Sequence, residues 1–124
     1  MAYDEALAER VKTFLKGKRS VTEKKMFGGL CFMVNGNMAC GVEKNKLVVR
    51  IGPEDYEKYL KQKHVRKMNF TGKPLKGFIY VMPEGLRRTD SLSKWIDKGI
   101  QFARSLPKKL KLLTYPHSIV GWSQ

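Results

Sequence analysis

Apolar and polar positions alternate along this chain with two different periods. Leu7, Val11, Phe14 and Leu15 recur at helical spacing, which puts them on one stripe of an amphipathic helix over residues 4–16. Asp4 stands where a cap belongs, Glu5 suits the positive end of the helix dipole, and Gly17 ends the helix. The period then shortens. Residues 22–27, 30–34, 38–42 and 47–51 are short apolar or β-branched runs, broken by Gly28-Gly29, Asn35-Gly36 and the polar turn Glu43-Lys44-Asn45-Lys46. Loops this short join antiparallel neighbours, so the four runs predict a meander. Asn35 and Gly36 both accept positive φ, as a two-residue type I′ hairpin turn demands.

Pro53 suits the first position of a second helix, with Glu54, Asp55 and Glu57 at its start, ending near Lys61 or Gln62. Residues 63–76 show no clear period beyond a turn at Thr71-Gly72-Lys73-Pro74. Residues 78–82 read as a fifth strand. A third helix is capped by Thr89 or Asp90 and carries Leu92, Trp95, Ile96, Ile100, Ala103 and Leu106 on one face, with Pro107 closing it. The expected fold class is α+β, a two-layer domain with a mainly antiparallel sheet of about five strands and three helices in the order α-β-β-β-β-α-β-α. It occupies residues 1–107. The tail, residues 108–124, holds Leu110, Leu112, Leu113, Tyr115, Ile119, Val120 and Trp122, too apolar for a solvated segment, and is expected to dock on this subunit or on a partner.

The hairpin is apolar on both sides. Leu30, Phe32 and Val34 point one way, and Cys31 and Met33 the other, beside Met38, Cys40 and Val42. A sheet with one wet face alternates apolar with polar, so this pattern predicts cover on both faces. Helices supply one cover; a second copy in a homodimer, or the tail, supplies the other, through Cys31, Met33, Met38 and Cys40. Pairing Val34 with Asn37 sets Cys31 directly across from Cys40 in a non-hydrogen-bonded pair, close enough to admit a disulfide. In a cytosolic chain the expectation is two reduced, buried thiols.

Charge changes the picture more than size does. The 124 residues carry 25 Lys and Arg against 11 Asp and Glu, for a net charge of +14. Lys108, Lys109 and Lys111 are the tail's share, and the remaining excess is spread along the fold. Such a field draws phosphates and speeds encounters with polyanions; the same charge also serves solubility alone. The polyanion candidates are Lys24 and Lys25, then Lys63, Arg66 and Lys67, then Arg87 and Arg88, then Lys108 and Lys109, with Lys16, Lys18, Arg19, Lys61 and Lys111 nearby in sequence. Aromatic residues do not interleave with them, so the expectation is backbone attraction without sequence reading.

Reaction chemistry has little footing. His64 sits in a basic run and reads as a surface residue, and His117 sits in the tail. No nucleophile–base spacing, paired cysteine motif or histidine pair is present, so neither a catalytic residue nor a metal or cofactor is expected. Gly28-Gly29 precede a further apolar run, not the helix that a phosphate loop needs. No apolar run reaches the ~18 residues of a membrane span, and the acidic start, Met1-Ala2-Tyr3-Asp4-Glu5, lacks a signal-peptide core. A cytoplasmic address without membrane contact is expected.

Several blocks together resemble the TfoX/Sxy N-terminal domain family. They are Tyr3-Asp4-Glu5, residues 21–42 with Lys24-Lys25-Met26-Phe27-Gly28-Gly29 and Asn35-Gly36-Asn37-Met38, then Val49-Arg50-Ile51-Gly52-Pro53. Met68-Asn69-Phe70-Thr71-Gly72-Lys73-Pro74-Leu75-Lys76-Gly77-Phe78 and the stretch from Trp95 to Pro107 complete them. The resemblance implies a two-layer α+β domain and kinship with bacterial regulators of natural competence. It brings no catalytic residues. In longer members a helical domain follows, for which this chain leaves no room, and the tail after Pro107 departs from the pattern. The expected function is a non-enzymatic regulatory or binding domain meeting nucleic acid or an acidic partner. The alternative is a protein–protein module or homodimer whose charge only keeps it soluble.

Overall fold

The structure, a computed structural model, describes residues 3–26, 28–70 and 72–108. The expectations for the tail beyond Lys108, and for Phe27, lie outside the described residues. The chain runs through α1 (Glu5–Leu15), β1 (Val21–Met26), β2 (Gly29–Val34), β3 (Asn37–Glu43), β4 (Lys46–Arg50), α2 (Tyr56–Leu60), β5 (Val65–Phe70), β6 (Lys73–Val81), a 3₁₀ turn at Pro83–Gly85, and α3 (Thr89–Ser105). One antiparallel sheet has the order β1-β2-β3-β4-β6-β5. The α+β class and the meander therefore stand, with a sixth strand. That strand, β5, lies in the segment without a clear period. It forms a long hairpin with β6 at the sheet edge, where one side meets water and apolar alternation fades.

Local chemistry explains most boundaries. The Leu7 amide donates to Asp4 Oδ1 at 3.0 Å, capping α1. At the β2–β3 turn, Asn35 has φ 53° and Gly36 φ 80°, and Val34 pairs with Asn37 as a type I′ turn requires. Two helix starts differ from expectation. Gly52 holds φ 87° beside the Phe102 ring, residues 53–55 form bends, and α2 begins only at Tyr56. Helix α3 has Arg88 at its cap position with no side-chain cap. Asp90 instead accepts from the Arg88 guanidinium at 3.0 and 3.2 Å, inside the first turn.

The main core lies between the helices and one face of the sheet. Val11 of α1 and Leu92, Trp95, Ile96 and Ile100 of α3 close over Leu30, Phe32, Val34, Val42, Leu47 and Val49. Each fully buried side chain of this size contributes about 1.5–3 kcal/mol. Helix α2 adds Tyr56 and Tyr59, and Tyr59 meets Trp95 edge-on with ring centroids 5.6 Å apart. Opposite lies a second, smaller cluster: Cys31, Met38, Val48, Met68 and Phe78, flanked by Met26, Met33, Leu75 and Tyr80.

A β-bulge in the hairpin corrects the cysteine expectation. Met33 pairs with Met38 but Phe32 pairs with Cys40, which leaves Ala39 as an extra residue in β3. Beyond the bulge Cys31 faces Gly41, not Cys40. One inserted residue flips every later side chain to the other face. Cys40 and Val42 therefore join the helix-covered core, and Cys31 stays with Met33 and Met38 on the opposite face. Both thiols are free and buried.

Candidate polyanion interface

The predicted basic residues do not form one surface. Lys24 and Lys25 lie on β1, one edge of the sheet, and Arg66 and Lys67 on β5, the other edge. Five strand spacings separate these edges, about 24 Å. Exposed charges, above all lysines, on edge strands block edge-to-edge pairing with other chains, a sufficient reason for all four. Lys63 lies in the turn before β5, where His64 takes φ 68°. His64 is half-buried, and its carbonyl accepts from the Met82 amide at 2.7 Å, so it serves the turn and is no bare surface residue. Arg87 and Arg88 precede α3. The Arg87 carbonyl accepts from Arg10 Nη2 at 3.4 Å, and Arg88 is paired with Asp90, which raises its basicity. Lys108 is exposed just past α3, and Lys109 lies outside the described residues.

A different basic cluster comes together at the end of the sheet near the hairpin turn. The α1–β1 loop runs through Lys16, Gly17, Lys18, Arg19 and Ser20, with Gly17 at φ 83° and Ser20 at φ 62°. The Asn35 amide donates to the Ser20 carbonyl at 3.1 Å and ties this loop to the turn. Helix α3 ends beside both. Lys18, Arg19, Ser20, Asn35 and Arg104 line a cleft of about 490 Å³ with no acid in its wall. Lys18, Arg19 and Arg104 are exposed, and no ion pair engages them among the described residues. The neighbouring Lys12 differs. It reaches Glu9 at 3.3 Å and Glu23 at 3.9 Å, and the Glu9 hydrogen bond, then Glu23, raise its pKa. Lys18 and Arg19 were visible as part of a basic run. Arg104 was missed because a lone arginine in a last helical turn reads as a partner for the helix dipole; only the chain's return to the hairpin turn reveals it.

Among the described residues no three His, Cys, Asp or Glu side chains gather as metal ligands. Burial pushes the Cys31 thiol up to about 11, with Glu43 adding and Lys24 opposing, and pushes the Cys40 thiol up to about 12, so both are protonated at neutral pH. Gly28, at φ 75°, turns the chain into strand β2, so no helix N-terminus follows the glycine pair. No helix among the described residues is long and apolar enough to cross a membrane.

Fold and site together define an α+β domain with helices on one sheet face and a basic cleft at one end. The family described as TfoX N-terminal domain matches residues 13–103. The chain therefore belongs to the TfoX N-terminal domain family, whose members are regulatory-type domains related to competence regulators. Comparisons with curated proteins and with solved structures each returned no match.

Proposed function

We propose that this chain is a regulatory binding domain without chemistry of its own, and that it holds the sugar–phosphate backbone of duplex nucleic acid in the cleft of Lys18, Arg19 and Arg104. The supporting observation is that acid-free wall: three cations from two separate segments, without an ion pair among the described residues, in a protein of net charge +14. Cations converging on one concavity bind phosphates and release the counterions condensed on them, which favours association at low salt. None of these groups reads base edges in a fixed frame, so the contact positions the domain and leaves sequence unread.

Titration with duplex DNA at about 50 and about 200 mM salt tests this. Three phosphate contacts predict an affinity loss of about 40-fold across that range. Lys18→Glu, Arg19→Glu and Arg104→Glu combined should abolish binding and leave the circular dichroism spectrum unchanged. Absence of binding at low salt, or undiminished binding by the triple variant, would reject the assignment.

A further inference from the structure

The second face of the sheet is an apolar surface whose described members all come from strands. Cys31, Met38, Val48, Met68 and Phe78 lie there, none more than 5 % exposed in a single chain. Side chains in one sheet layer shield each other sideways but leave their tips open, so closing them takes a second layer. The three helices build the opposite core. One acid also belongs to this face. Glu43 lies beside Cys31 and Tyr80 and contributes to raising both their pKa values. Its carboxylate accepts a hydrogen bond from Tyr80, Lys46 lies directly across from it in β4, and its Oε2 is closed to water.

We propose that residues 109–124 of this chain fold back across the second face and form its missing layer. Three observations support that occupant over a second copy. The chain leaves α3 at the hairpin end of the sheet, from which either face can be reached: Asn37, buried at the start of β3 on the helix-covered side, donates from Nδ2 to the Pro107 carbonyl at 2.9 Å. The sixteen residues beyond Lys108 span up to about 50 Å when extended, against a sheet about 24 Å wide. The segment's chemistry also fits. Residues 112–124 carry no Lys, Arg, Asp or Glu and present Leu112, Leu113, Ile119, Val120 and Trp122 to the apolar face.

Cys31 reports on this layer, and Cys40, on the other face, reports on the main core. In the full chain, Leu113→Glu with Trp122→Glu should speed alkylation of Cys31 by iodoacetamide about tenfold or more, read site by site by mass spectrometry, while Cys40 stays slow. An unchanged Cys31 rate would overturn the proposal. A second measurement stands independently of how that variant folds: methyl NOEs in the unaltered chain, using a sample that mixes isotope-labelled and unlabelled protein. Contacts within one chain between Leu112, Leu113 or Val120 and Met33, Met38 or Val48 support the assignment. Their absence, or contacts only between chains, would overturn it, and the latter would give the face to a second copy.

Discussion

Gly99 offers the sharpest test of how α3 is seated. It lies in the middle of that helix, where glycine is disfavoured by about 1 kcal/mol relative to alanine. On propensity alone, Gly99→Ala should stabilise the domain. The bulge reverses that expectation. Ala39, the extra residue in β3, presents its carbonyl to the helix, and a Cβ on Gly99 would overlap the Ala39 oxygen and stand 3.0 Å from its carbonyl carbon and 3.5 Å from Val49 Cγ1. The obstacle is backbone held in the sheet, so it does not swing aside as a side-chain tip does. The helix must lift instead, loosening Trp95, Ile96 and Ile100 over the core. Overpacking of this kind costs about 1–3 kcal/mol. Its upper half applies to a rigid neighbour, and after the helical gain the net loss is about 1–2 kcal/mol. Denaturant unfolding, followed by circular dichroism at unchanged m-value, measures it. A Gly99→Ala protein as stable as the parent, or more so, would refute the close contact between α3 and the bulge.

Further outcomes follow from other contacts. Arg50, buried at the end of β4, stacks between the Phe78 and Phe102 rings with its guanidinium carbon 5.2 and 5.4 Å from their centroids. Arg50→Lys keeps the charge but loses the planar stack, so a drop of about 1 kcal/mol is expected in thermal unfolding. Asp4→Ala removes the α1 cap and should cost about 1 kcal/mol in the same assay, with Asp4→Asn largely restoring it. The thiols set a pH dependence. Both are raised from an ordinary value of 9.0, to about 11 and about 12, so above pH 9 the unfolded chain loses protons that the folded chain retains. Stability is complete below that pH and should fall as pH rises from 9 toward 12. Cys31→Ala should flatten the fall between pH 9 and 10, below the range in which the raised Tyr56 and Tyr80 begin to contribute; equal slopes would contradict the burial of that thiol.

Local chemistry written in the chain was enough for the helices, the four-strand meander and the hairpin turn. Period, caps and positive-φ residues act over a few neighbours, as at Asp4, Gly17 and Asn35-Gly36. The family followed from such local blocks as well. Three features needed the tertiary structure. The bulge at Ala39 sets its carbonyl against a helix sixty residues away at Gly99, and that single insertion sends Cys40 to the opposite face from Cys31. Strand β5 exists through pairing with β6, since its edge position leaves little apolar period of its own. The basic cleft joins Lys18 and Arg19 to Arg104 across the hairpin turn. Periodicity records only what each residue needs from its near neighbours. Bulge, edge strand and cleft are set by segments that meet through space, and no local pattern encodes which distant backbone will arrive.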